Sequence, residues 1–244
     1  MKVSREQAAL NRERIVDVAA RLFREKGYDG IGLADLMKNA GLTHGGFYGH
    51  FASKEDLMIE ACLHALEKSL EGWRAKIASE PQRALPAIID NYLTTSHRDQ
   101  PGGGCPAAAM GVDAARMSPG ARPAFTKATQ QQFALLQGLL PDGAPNCTQE
   151  RRRQQAIATF SAMVGAMVLA RAIDDEALSA EILDAVKAQL VADQAQLCKY
   201  ACQTASSHDR LRFSDFGISS CCFGSGNTGV LCWPGTSLPV SLSP

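Results

Sequence analysis

Apolar positions recur along this chain at helical spacing, and no stretch sustains the two-residue alternation of a half-buried strand. Between residues 12 and 26, Ile15, Ala19, Leu22 and Phe23 fall on one face, and Gly27 ends the pattern. Leu33, Leu36 and Met37 repeat at i, i+3, i+4 and predict a short second helix. Gly41 supplies the bend after it, because a residue without Cβ adopts the left-handed conformation a helix end needs. Thr43 offers an N-cap hydroxyl to a third helix, in which Phe47 and Phe51, four apart, turn inward. Ser53 caps a long helix over residues 54–79 carrying Leu57, Ala61, Leu66, Leu70 and Trp73. Pro81 and Pro86 mark a break and the first turn of the next helix, with Ile88, Ile89, Tyr92 and Leu93 inside. Residues 101–104 predict a loop, 105–117 and 119–140 two helices, and 141–147 another loop. Residues 149–172 and 179–198 are the last strong helical patterns, so the fold class is all-α.

Two short amphipathic pieces joined by a glycine bend are the pattern of a helix-turn-helix, whose second helix enters the DNA major groove. Four segments run in order through this region: RERIVDVAARLFREKGYDG, LADLMKNAGL, THGGFYGHF and SKEDL. Through them, residues 11–62 resemble the DNA-binding domain of the tetracycline-repressor (TetR) family of bacterial transcriptional regulators. Gly32 departs from the Ser or Thr that often caps the second helix in that family. The glycines at 45, 46 and 49 are a second departure, each costing a helix roughly 1 kcal/mol relative to Ala. The resemblance implies a helix-turn-helix domain over residues 1–52 and a helical effector-binding and dimerisation domain over 53–200.

Length and charge bound the function without choosing it. A chain of 244 residues buries a substantial core. Its 25 basic and 25 acidic residues balance, and residues 1–60 balance at nine each, so a generic basic patch does not explain DNA binding. Placement is more informative. Residues 1–26 hold seven basic and four acidic residues, and residues 42–54 hold one Lys, two His and no acid. Such a distribution implies specific docking with modest non-specific affinity, since counterion release scales with the phosphates contacted. Residues 1–14 are polar and charged, unlike a secretory leader. The longest apolar run, 160–170, falls short of the ~20 residues that cross a bilayer. A cytoplasmic protein with reduced thiols and no membrane partner is expected. Residues 201–244 change character, being rich in Ser, Gly and Pro, with four of the eight cysteines at 202, 221, 222 and 232. A disordered tail is expected. Thiolates also bind soft metals, but this spacing fits no zinc signature, and no metal or cofactor is expected.

The candidate DNA-contacting residues are Arg12, Leu33, Thr43, His44, Gly45, Tyr48, His50 and Lys54. Tyr48, His50 and Lys54 match family positions that touch the phosphate backbone, which sets register without reading bases. His50 alternatively packs against the first helix. Thr43 and His44 are the groove-facing pair, and imidazole pairs with several base edges. Gly45 lets the backbone approach DNA, whereas Gly46 and Gly49 avoid clashes. In the second domain, Phe160, Met163, Val164, Met167 and Val168 form one stripe and Ile182, Leu183, Val186 and Leu190 another. Left exposed they would be the dimer faces. The alternative is packing inside one subunit. An apolar effector lining is sought in Trp73, Ile89, Tyr92, Leu93, Met110, Phe125 and Phe133, residue types that equally serve as core.

Cys105 follows three glycines and opens a helix, where the positive helix end lowers a thiol's pKa. Some relatives with Gly-Cys at the corresponding helix start respond to electrophiles or oxidants. The alternative is a buried small hydrophobe. The combined reading is a homodimeric repressor that binds a near-palindromic double-stranded operator and is released by a small-molecule or electrophilic effector. Transcriptional activation is the nearest alternative. An enzyme or ligand carrier built on the helical region is another, unsupported by any nucleophile–base–acid trio, metal-ligand pair or phosphate loop.

Overall fold

The computed structural model describes residues 4–116, 122–140 and 148–209, and within them every regular element is helical. The expected loop at 141–147 and residues 210–244 of the expected tail lie outside the described residues. Helix α1 (Arg5–Lys26) starts at Ser4, whose hydroxyl accepts from the Gln7 N–H at 3.1 Å. It closes on Gly27 at φ +75°, whose N–H reaches the Phe23 carbonyl at 2.9 Å. Helix α2 (Leu33–Asn39) begins at Gly32 with no side-chain cap. It ends in a Schellman arrangement: Gly41 stands at φ +69°, and Leu42 N–H donates to the Met37 carbonyl at 2.9 Å.

After a short 3₁₀ helix, His44–Gly49, comes α3 (Lys54–Ser79), capped as expected by Ser53 accepting from Asp56 N–H at 3.0 Å. At 1.5 Å per residue its 26 residues span about 39 Å. That length carries one helix through two hydrophobic cores. The first core gathers Ile15, Phe23, Leu36, Met37, Phe47 and Phe51 with Leu57, Met58 and Leu66 of α3. The second holds Trp73 of α3 with residues of α4 (Ala84–Tyr92), α8 (Gln149–Ala172) and α9 (Glu176–Asp209). Between α4 and α8 lie α5 (Thr95–Asp99), α6 (Pro106–Arg116) and α7 (Arg122–Gly138). Met110 of α6 and Ala128 of α7 belong to the first core, so the head's packing runs well past residue 52.

The structure corrects two expectations. Helix α9 runs unbroken to Asp209, so residues 201–209, placed in the tail, continue a helix. The predicted dimer stripes are largely interior. Phe160, Met163, Met167, Leu183 and Leu190 are buried in the subunit's own second core, and Val164, Ile182 and Val186 are half-buried against it, because α8 and α9 pack on each other. Of the nine, Val168 remains exposed, at 40%, next to exposed Leu169 in α8, and Leu178 of α9 is exposed as well. Helix α8 has the length and composition of a membrane span, yet a face of it fills the second core and three arginines lie among its first five residues, the core-helix arrangement the sequence predicts. Helix α5, only five residues long, is too short for apolar spacing to predict.

Candidate nucleic-acid interface and an interior cleft

The recognition segment is wound more tightly than expected. His44–Gly49 is a 3₁₀ helix rather than an α-helix, with Gly46 N–H donating to the Thr43 carbonyl at 3.0 Å. The Thr43 hydroxyl caps nothing, so its expected N-cap role is carried by the backbone alone. One aromatic holds the segment down: Phe47 is fully buried, 5.7 Å from the Phe51 ring and edge-on to Tyr48 at 5.2 Å. Thr43, His44 and Gly45 are exposed, and Tyr48 is 66% exposed with its ring edge-on to His44 at 6.3 Å. The segment therefore presents a hydroxyl, an imidazole and a phenol to solvent over a stretch free of carboxylates. A Cβ at Gly45 or Gly49 would meet nothing within 4 Å, and one at Gly46 only ordinary contacts at 3.7 and 3.8 Å. The protein's own packing requires none of these glycines, contrary to the expectation that Gly46 and Gly49 avoid clashes.

The other candidates have partners inside the head. Arg12 pairs with Glu60 and lies 4.4 Å over the Phe51 ring, tying α1 to α3. Lys54 Nζ donates to the Tyr28 carbonyl and sits 4.3 Å over the Tyr28 ring. Leu33 is half-buried on the first core. His50 is half-buried, its ring tilted against Phe51 at 6.4 Å. Lys38 of α2 is exposed beside the turn, and nothing in its sequence context distinguishes it.

Cys105 sits at the start of α6, its carbonyl accepting from Ala109 N–H at 3.2 Å. Its thiol is not depressed. Burial, with 4% exposure left, pushes the pKa up, and the Tyr92 hydroxyl, the Ala108 and Ala107 amides and Arg171 offset only part of that. Desolvation outweighs the helix end. The turn before it is locked by His97. The Tyr92 carbonyl, which can only accept, lies 2.7 Å from Nδ1, so Nδ1 carries the proton. Bare Nε2 then accepts from Cys105 N–H at 2.9 Å. Burial lowers the His97 pKa, consistent with this neutral tautomer.

Between α1, α3, α4 and residues 94–105 lies an open cleft of about 700 Å³. Arg24, Lys68, Trp73, Tyr92, His97 and Cys105 line it. Of the predicted effector residues, only Trp73 and Tyr92 do so. Ile89 and Leu93 are solid second core, and Met110 is buried in the first core, against which Phe125 also packs. Phe133 is half-buried, edge-on to Phe160 at 5.8 Å. Arg24 and Lys68 carry no signal in the sequence, since on polar faces they read as solvated charges. Here Arg24 Nη1 donates to the Gly104 carbonyl at 3.1 Å. The turn is also wedged against α1: a Cβ at Gly102 would overlap Glu25 Oε1. Tyr28 N–H donates to Asp113 of α6 at 3.0 Å, a further tie between head and bundle.

Residues 15–61 match the sequence model of the bacterial regulatory proteins of the tetR family. The chain is 30% identical over 174 residues to an uncharacterized HTH-type transcriptional regulator of Mycobacterium tuberculosis, covering 66% of this chain and 84% of that protein. It is 33% identical over 98 residues to the HTH-type transcriptional regulator AcrR of Shigella flexneri, covering 38% of this chain and 45% of AcrR, less than half its length. Among solved structures, a TetR transcriptional regulator from Chloroflexus aurantiacus superposes with a TM-score of 0.62 at 29% identity, over 76% of this chain and 94% of that one. The reduced form of Escherichia coli NemR shares the fold, with a TM-score of 0.61 at 24% identity over 74% and 95%.

Proposed function

This chain belongs to the tetR family of bacterial regulatory proteins, DNA-binding transcriptional regulators and not enzymes, and we propose that it acts as a homodimeric repressor released from its operator by an effector. The observation that carries the proposal is the wedge between the effector side and the head. The 101–104 turn is packed onto α1, and Arg24 of α1 is bonded to that turn, so a change in the cleft is felt by the helix on which the recognition segment rests. Two recognition segments related by a two-fold axis read a near-palindromic site. Thr43 and His44 face base edges, with Gly45 allowing close approach, while Tyr48, His50 and Lys54 engage phosphates. Val168, Leu169 and Leu178 contribute to the dimer face, and the protein works in the cytoplasm. The effector acts by favouring a separation of heads that does not fit DNA, a population shift set by its differential affinity for the two states.

The effector is a small molecule in the cleft or an electrophile adding to Cys105. With the thiol held neutral by burial, the second route needs a transient opening of the 101–105 turn. The test starts from selection of genomic fragments on the purified full chain and its mass in solution. One enriched near-palindrome bound by a dimer is expected, and sequence-independent binding by a monomer would overturn the proposal. Operator release by N-ethylmaleimide, compared between wild type and Cys105→Ser, then separates the two routes.

A further inference from the structure

Arg24 is a more than half-buried cation that forms no ion pair among the described residues. Its Nη1 reaches only the Gly104 carbonyl, its Nε is buried with no partner, and the neighbouring Glu25 carboxylate is bonded to Arg21 instead. A second guanidinium stands on the other side of the same turn. Arg171 donates to the carbonyls of His97 and Arg98 at 2.8 and 3.1 Å, its Nη1 is buried and unpartnered, and Nη2 would lie 3.1 Å from a Cβ on Gly104. Carbonyls satisfy donors but do not neutralise charge, and a buried cation left unpaired is costly. The Cys105 thiol, near enough to act on both, is no substitute, because burial keeps it protonated. Tyr92 adds a third group: it is 4% exposed, lines the cleft, and its buried hydroxyl faces only the Cys105 thiol, a weak partner, with no nitrogen or oxygen partner among the described residues. Lys68 at the rim is bonded to Asp17.

We infer that this cleft binds a small organic anion, a carboxylate on a flat apolar body, with Arg24 as its counter-ion and the Tyr92 hydroxyl as a second donor. The inference rests on the reading of the protein as effector-responsive and names the effector's class. A guanidinium fork matches a carboxylate's two oxygens. The indole of Trp73 and the Tyr92 ring supply the wall for a flat body, and about 700 Å³ lies within the range of small-ligand sites. Because Arg24 belongs to α1, the bound carboxylate competes with the Gly104 carbonyl for the guanidinium and loosens the head from the turn. The effector thus acts on the hinge directly rather than through the apolar bundle.

The experiment is calorimetric titration of the full chain, without DNA, with benzoate and 3-phenylpropanoate, each against its neutral amide, and with inorganic sulfate. Saturable binding of at least one carboxylate, about tenfold or more tighter than its amide and than sulfate, is expected. Arg24→Gln and Tyr92→Phe should each weaken it by a similar factor. Circular dichroism establishes that the variants are folded, and Tyr92→Phe, which removes one hydroxyl, decides the matter if Arg24→Gln does not fold. Equal binding of acid and amide, equal binding of sulfate, no saturable binding by either acid, or unchanged affinity in Tyr92→Phe would overturn the inference. Operator binding measured without ligand reports separately on the regulator reading, so the two fail in distinguishable ways.

Discussion

Gly104→Ala is expected to destabilise the protein by about 2–4 kcal/mol, whereas Gly103→Ala, one residue earlier, should be nearly neutral. Gly104 has φ −85° and ψ −168°, which any residue adopts, so the cost is one of contact and not of torsion. The new methyl would lie 2.6 Å from Cδ2 and Nε2 of His97 and 3.1 Å from Arg171 Nη2, while a Cβ at Gly103 meets nothing within 4 Å. The imidazole cannot yield freely, since Nδ1 and Nε2 are both bonded and the ring sits edge-on to Tyr92 at 4.5 Å. Displacing it forfeits the bond to the Tyr92 carbonyl, worth about 0.5–1.5 kcal/mol net, and leaves the Cys105 N–H unpaired at a cost of about 1–3 kcal/mol. The assay is urea unfolding followed by circular dichroism, both variants at one fixed protein concentration because dimerisation contributes to apparent stability. A Gly104→Ala unfolding free energy within about 0.5 kcal/mol of that of Gly103→Ala would show that His97 does not lock the turn.

Other consequences are open to direct measurement. His44→Ala should relax base preference at one symmetric pair of operator positions and weaken binding by about 1–3 kcal/mol for each base edge it no longer reads; an identical selected site from both proteins would remove His44 as a reader. Lys54→Ala should flatten the salt dependence of DNA binding by about one unit, since Nζ keeps donors free after its bond to the Tyr28 carbonyl; an unchanged slope would confine Lys54 to that internal bond. Burial pushes the Cys62 thiol up to about 12 and raises Cys105 as well, so N-ethylmaleimide labelling of both should be slow at neutral pH and quicken as pH rises. Cys105, on the cleft, should label first in a mass-spectrometric time course, and prior labelling of Cys62 in the head core would contradict the described access. Because burial lowers the His97 pKa below its ordinary 6.5, the unfolded chain binds the extra proton first. Its contribution to stability is complete above that ordinary value and is lost as pH falls through the folded-state value. Asp17, Glu80 and Asp99 are depressed from carboxylate values and act at lower pH, so His97→Gln should remove the mildly acidic part of the dependence.

The helical architecture is legible in the sequence wherever apolar spacing persists over several turns. α1, α3 and α8 sit where Ile15, Leu57 and Phe160 place them, and the Ser53 cap and the Gly41 bend follow from local stereochemistry. The recognition segment's position is readable from Phe47 and Phe51, but its 3₁₀ winding is not, because three glycines leave the turn type to tertiary packing. At Cys105 the local half of the physics can be read and the larger half cannot: a helix end is a property of neighbours in sequence, whereas desolvation is a property of everything packed around the thiol. For the same reason Arg24 and Arg171 resemble surface charges until the fold brings both to one turn. The apolar stripes of α8 and α9 announce that they need cover, and spacing alone does not say that each helix covers much of the other.

Met110 and Asp113 have a bearing on modular engineering. Exchanging operator specificities between such regulators by swapping N-terminal segments treats the first fifty residues as a cartridge. In this protein a graft ending at residue 52 would bring a foreign surface up against Met110, whose side chain completes the first core, and against Asp113, which receives the Tyr28 amide. A chimera would therefore inherit a void or an unmet polar group unless α6 and the first half of α3 travelled with the head. The natural unit of exchange is discontinuous in sequence, and recombination that respects it should yield hybrids that both fold and respond.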